Sequence, residues 1–296
     1  MSFPVAGLIH EYAPRLIAFE FTPTSHKNVI IFVGGLMDGL LTVPYLQNLA
    51  IELSKINFTL IQIQISSSHI GWGTGSLNRD SNEISKLIKY LKSNKGGNRT
   101  KIGLMGHSTG CQNTIHYFTR QNRDNKEFYS TIDFGILQAP VSDRISASTI
   151  MNNDEILNSI KLSKELINNN QGNHIMPYEF TKHFFNVPIS AYRWNSLISI
   201  GGDDDFFSPD LSMNDYLSTF GKFDKPFLVL YSGSDEYVPD WLDKDELMTK
   251  WEKASGLNWS PFSTIVKGAK HNIGEGSDSD SEKIAIDAVI NFINSI

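Results

Sequence analysis

Eight short runs rich in Ile, Val, Leu and Phe recur along this 296-residue chain, each bounded by Gly, Pro, Asn or Ser. The first two, "VAGLIHEY" and "RLIAFEFTP", are separated only by "AP" and read as an antiparallel hairpin. The next six are "NVIIFVGG", "FTLIQIQIS", "KIGLMGHS", "IDFGILQAP", "PFLVLYSGSD" and "STIVKGAKH". The later runs hardly alternate with polar residues, which is how strands read when both faces are covered, as in a parallel sheet. Helical patterns lie between them. Ile84, Leu87, Ile88 and Leu91 keep i, i+3, i+4, i+7 spacing, as do Ile286, Val289, Ile290 and Ile293. The "EGSDSDSE" before the last pattern offers acids and hydroxyls to a helix N-terminus. The order predicts an α/β fold: a doubly wound, mostly parallel eight-stranded sheet with an antiparallel start and helices on both faces.

One gap breaks the rhythm. Residues 141–225 separate the sixth run from the seventh and hold a helical pattern from Glu155 to Asn168, then Tyr178, Phe180, Phe184, Phe185, Tyr192 and Trp194. A structureless loop of that length is improbable, so 141–225 reads as an inserted helical cap over a core made of 1–140 and 226–296. The acidic triplet Asp203, Asp204 and Asp205 lacks ligand spacing and reads as a solvated turn, so no metal site is expected.

The balance of charges narrows the partners. A net charge of −6 with no basic block argues against nucleic acid, and no apolar run reaches the ~18 residues of a membrane span. The N-terminal stretch lacks the basic and apolar blocks of a secretory signal, and one cysteine, Cys111, permits no intrachain disulfide. These features point to a reducing interior, the cytoplasm, with Cys111 a small buried hydrophobe.

The fifth run leads into Gly106-His107-Ser108-Thr109-Gly110. G-x-S-x-G occurs by accident in roughly one chain in ten of this length, so its surroundings must decide. Here it follows a strand pattern and precedes "CQNTIHYF", of helical composition. Strand, sharp turn and helix form the setting of a nucleophile elbow, in which a strained serine projects its hydroxyl above the sheet. Glycines two residues to either side keep side chains off the neighbouring backbone. A hydroxyl needs a base, and the base needs an orienting acid. Asp235 ends the seventh run and His271 follows the eighth, so all three fall at strand C-termini in the chain order Ser, acid, His. Asp240 is the substitute acid five residues on, and His107 is expected to point away from the nucleophile and pack locally.

An oxyanion hole would combine the N–H of Thr109 with one from the loop "FVGGLMDGLL" after the third strand, from Gly35 or Leu36, with Leu36 preferred. The loop "SSSHIGWGTGSLNRD" has no Gly-Lys-Ser/Thr and is not a phosphate loop. It is either a tight loop packed around Trp72 or a substrate wall in which Trp72, Gly73 and His69 touch the ligand.

"IFVGGLMDGLLTVPY", "SSSHIGWGTGSLNRDSNEI", "KIGLMGHSTGCQNTIHYF", "LQAPVSDR" and "SGSDEYVP" together resemble the α/β-hydrolase family that contains the fungal siderophore esterases, which open the esters of fusarinine C and triacetylfusarinine C. The resemblance spans most of the chain and is weakest over 141–225. It implies an α/β-hydrolase fold, a serine esterase with its triad on Ser108, Asp235 and His271, no cofactor, and a small-molecule ester as substrate, a ferric siderophore among the options. A general carboxylesterase or lipase, a thioesterase or a peptidase would use the same apparatus. A non-catalytic ligand-binding protein on this fold is the rival from another class.

Overall fold

A computed structural model describes residues 4–23, 25–119 and 129–296. Its eight strands are β1 (Gly7–Ala13), β2 (Leu16–Phe21), β3 (Asn28–Val33), β4 (Phe58–Ile63), β5 (Lys101–His107), β6 (Phe134–Gln138), β7 (Phe227–Ser232) and β8 (Thr264–Val266), one for each apolar run. They form one sheet in the order β1-β2-β4-β3-β5-β6-β7-β8. β1 pairs with β2, and β2 with β4, antiparallel; every other pairing is parallel. The connection from β3 through α1 (Leu46–Lys55) to β4 runs toward one edge, whereas that from β5 through α3 (Thr109–Thr119) to β6 runs toward the other. The direction of winding therefore changes at the C-terminal ends of β3 and β5, where an open α/β sheet leaves a crevice.

The two-residue period of a strand divides β3 between both faces of the sheet. Ile30 and Phe32 join the cluster containing Leu46, Leu49 and Leu53 of α1 and Ile286, Val289 and Ile293 of α10 (Ser281–Ser295). Val29, Ile31 and Val33 join the opposite cluster with Ile84, Leu87, Ile88 and Leu91 of α2 (Leu77–Lys92), all four fully buried. Each such side chain taken from water is worth about 1.5–3 kcal/mol, so the helical stripes read from sequence are what dock these helices. The start of α10 differs from expectation in detail. Its N-cap residue Asp280 makes no side-chain capping bond, and the Ser281 hydroxyl donates instead to the Lys267 carbonyl.

Between β6 and β7 the chain forms α4 (Asp143–Ile150), α5 (Asn153–Asn168), α6 (Tyr178–Thr181), α7 (Ala191–Ile198) and α8 (Met213–Leu217). Asn152 and Glu155 close a reciprocal capping box at the start of α5, which begins two residues before the sequence pattern suggests. The packing of this insertion splits in two. Ala147, Met151, Phe180, Phe184, Trp194 and Leu197 share an apolar cluster with Trp72. Phe206, Phe207, Tyr216, Phe220 and Phe223 instead belong to the sheet-face cluster with Phe227, Val229 and Trp251, the last in α9 (Lys244–Ser255).

The acidic triplet also departs from its expected solvated turn. Only Asp203 is exposed; Asp204 is buried 2.5 Å from Arg193 Nη1, and Asp205 Oδ2 lies 3.2 Å from Arg144 Nε. Two arginines, 11 and 61 residues away along the chain, draw the carboxylates inward, a pairing that no local pattern announces. Among the described residues no helix is long and apolar enough to cross a membrane.

Candidate active site

Ser108 stands between β5 and α3 at φ 54°, a left-handed conformation that an L-residue holds only under constraint. Three backbone contacts supply the constraint. Its N–H donates to the Gln138 carbonyl at 3.0 Å, its own carbonyl accepts from Cys111 N–H at 2.8 Å, and the glycines at 106 and 110 let neighbouring backbone close in. A Cβ on Gly106 would stand 2.1 Å from the Gly110 carbonyl oxygen, and one on Gly110 2.2 Å from that of Val33. Both positions exclude any side chain. Gly35 is constrained by the serine itself, since a Cβ there would lie 2.5 Å from Ser108 Cβ.

His271 sits in the loop between β8 and α10, buried, with Nδ1 2.7 Å from Asp235 Oδ2. Asp235 follows β7 and is buried, and Asp240 takes no part in this contact. The backbone on either side is also tied: Glu236 Oε2 accepts the N–H of His271 at 3.0 Å, and the Lys244 ammonium donates to the carbonyls of Ser232 and Gly233.

Ser108 and His271 line one cavity of about 250 Å³. Leu36, Met37 and Asp38 wall it from the loop after β3, and Ile150, Phe184 and Phe185 from the β6–β7 insertion. Phe185, Ile150 and Tyr237 remain substantially exposed around it, so the mouth is apolar. Asp38, Asp143, Ser146, Glu236 and Asn272 share the lining with these apolar side chains, a mixed wall that suits a small organic ligand carrying polar groups. Among the described residues no group of three or more His, Cys, Asp or Glu side chains is placed to hold a metal ion.

Gly35 N–H donates to Asp38 Oδ2 at 2.7 Å and is thus engaged within its own loop, while Leu36 lines the cavity. Thr109 opens α3 immediately after the serine. Of the two readings of the Trp72 loop, the tightly packed one agrees with the structure and the substrate wall does not. Trp72 is buried against the insertion, a Cβ on Gly73 would meet the Pro188 carbonyl oxygen at 2.2 Å, and His69 is exposed with its ring over Gly39. None of the three lines the Ser108 cavity. The loop instead serves as the floor on which the insertion rests. Cys111 is buried as expected, its thiol against the carbonyls of Gly106 and Gln138.

His107 is the residue that sequence reasoning misplaced. Its ring lines the cavity, lies 4.9 Å from the ring of His271, stacks on Phe32, and bonds through Nδ1 to Gln138 Oε1 at 2.6 Å. Burial first, and then the nearby His271, push its pKa down to about 4, which leaves it neutral in ordinary buffers. Alternation along β5 puts residue 107 on the face opposite its neighbours, but which face meets the base depends on where the β8 loop folds. Asp38 from the loop after β3, Asp143 at the start of α4 and Asn272 beside His271 also line the cavity, and no local pattern marks them as its lining because they come from separate stretches of chain.

Over residues 1–294 the chain matches the family described as "Protein of unknown function (DUF1749)". It is 37% identical over 317 residues to a UPF0613 protein of Schizosaccharomyces pombe, with 100% of this chain and 99% of the relative covered. It is 32% identical over 339 residues to fusarinine C esterase sidJ of Aspergillus fumigatus, covering 98% of this chain and 96% of that one. Among solved structures, siderophore hydrolase EstB from Aspergillus fumigatus aligns with a TM-score of 0.85 at 31% identity, covering 99% of this chain and 98% of that one.

Proposed function

Because the chain belongs to the DUF1749 family, within the α/β-hydrolases that include the fungal siderophore esterases, and is an ester hydrolase, we propose that it works as a serine esterase through Ser108, His271 and Asp235. The observation that carries this reading is the 2.7 Å contact of Asp235 with His271 behind a cavity that His271 shares with a strained Ser108. Ser108 Oγ attacks the ester carbonyl as His271 Nε2 takes its proton, and Asp235 holds the Nδ1–H tautomer and offsets the imidazolium charge that develops. The oxyanion is met by the N–H groups of Thr109 and Leu36, since that of Gly35 is already given to Asp38. His271 then protonates the leaving alcohol, and water resolves the acyl-enzyme by the reverse path.

The substrate we propose is a hydroxamate siderophore ester, ferric or iron-free, on the strength of the relatives named as a fusarinine C esterase and a siderophore hydrolase. The β6–β7 insertion acts as a cap, supplying Ile150, Phe184 and Phe185 to the wall. A reducing, cytoplasmic location belongs to the same proposal and rests on the single buried cysteine.

Two measurements test it. Purified protein is incubated with ferric and iron-free fusarinine-type triesters and with short-chain acyl esters, and products are followed by mass spectrometry. Cleavage of the triesters is expected; turnover of the short esters alone removes the siderophore substrate and leaves the esterase. Ser108→Ala is expected to lower kcat by about 10⁴- to 10⁶-fold and to abolish fluorophosphonate labelling. Near-native turnover in that variant would remove the serine mechanism.

A further inference from the structure

Gln138 ends β6 and is fully buried beneath the cavity. Its backbone carbonyl accepts the N–H of Ser108. Its side-chain nitrogen donates to the His271 carbonyl at 3.0 Å and to Ser232 Oγ at 3.3 Å. A carbonyl can only accept, so the amide cannot be turned the other way. Oε1 must therefore face the His107 ring, and Tyr45 OH approaches the same oxygen at 3.4 Å. An oxygen that only accepts dictates the tautomer of its partner, so His107 carries its proton on Nδ1. Its Nε2 faces Asp38 Oδ2 at 3.7 Å, and the same carboxylate oxygen holds the N–H of Gly35.

One side-chain amide thus ties the turn that carries Ser108, through His107, to the loop that carries His271. We infer that Gln138 is a positioning residue for the reaction, holding the nucleophile turn and the base loop at one spacing through its bonds to His107 and His271. The inference rests on the serine esterase reading, which gives those two segments a common task. It also accounts for the histidine beside the nucleophile. A neutral His107 fixed as the Nδ1–H tautomer does not oppose the charge on His271, whereas an imidazolium 4.9 Å away would. Displacing reacting groups by a fraction of an ångström slows a reaction far more than the strength of one hydrogen bond suggests.

Gln138→Met keeps length and volume but neither donates nor accepts. Its kcat on a short-chain p-nitrophenyl ester is expected to fall about 10- to 100-fold with KM within about twofold of native, since the change acts on alignment rather than on binding. A second readout needs no substrate. Nitrogen chemical shifts of ¹⁵N-labelled protein, with the His107 signals assigned by their loss in His107→Asn, are expected to show Nδ1 protonated in the native enzyme. In Gln138→Met the proton is expected on Nε2, where Asp38 is the acceptor that remains. A merely structural glutamine would move the melting temperature and leave the tautomer alone. Native kcat in Gln138→Met, or a native His107 protonated on Nε2, would overturn the inference, and the latter result stands even if the variant fails to fold. Absence of esterase activity in the native protein would remove the reaction and this role together, whereas an unaffected Gln138→Met would remove this role alone.

Discussion

Asp143 lines the cavity at the first turn of α4, and its carboxylate accepts from Gln112 Nε2 at 2.7 Å. Burial is the main force that pushes its pKa up to about 8, and the charge of Asp204 adds to it against the pull of Arg193 and Gln112. The folded state therefore keeps a proton that an unfolded aspartate has released. Between the unfolded value near 4 and the folded value near 8, folded protein binds more protons than unfolded, so rising pH costs stability across that window. Asp143→Asn keeps the shape and an oxygen for Gln112 while removing the titration. Its melting temperature is expected to exceed that of the native protein by a margin that grows from pH 5 to pH 8. Calorimetry at those two pH values checks this, and a constant margin would show that Asp143 does not carry the effect.

At the scale of elements, α7 is anchored by charge as much as by apolar packing. Arg193 is buried and pairs with Asp204, while the charge of Asp80 on α2 acts on it as well. One guanidinium thus joins the insertion to the helix beneath the Trp72 loop. A buried pair is weak evidence of net stability, but removing one partner leaves the others uncompensated. Arg193→Met is expected to lose about 3–5 kcal/mol of unfolding free energy, measured in urea, and Arg193→Met with Asp204→Asn is expected to recover part of it. The helices that dock through apolar stripes, α2 and α10, were legible from their periodicity. The attachment of α7 was not, because Arg193, Asp80 and Asp204 come from separate stretches of chain and none shows its partner locally.

For the whole molecule, the β6–β7 insertion does not stand apart as one body. The rings of Phe220 and Trp251 stack 5.2 Å apart, and Phe223 lies 4.2 Å from Phe227 at the start of β7. The second half of the insertion is therefore part of the core on that face of the sheet. Phe220→Ala should cost about 3–5 kcal/mol in the main unfolding transition, as a deleted core ring does. A separate early transition with the main one unmoved would mean that this region unfolds independently.

Patterns carried within a few residues were readable without coordinates. Short apolar runs marked all eight strands, helical spacing marked α2 and α10, and the glycines around Ser108 announced a turn that admits no side chain. The order of Ser108, Asp235 and His271 at strand ends was likewise a property of the chain itself. Hydrophobic period and turn chemistry act locally, so they leave a local record. Tertiary structure alone decided that His107 turns into the cavity, that Gln138 links the Ser108 turn to the His271 loop, that Trp72 supports the insertion, and that Asp204 and Asp205 find arginines. Each of those outcomes depends on which loops the twist and order of the sheet bring together, and a contact between distant residues leaves no mark on either sequence segment taken singly.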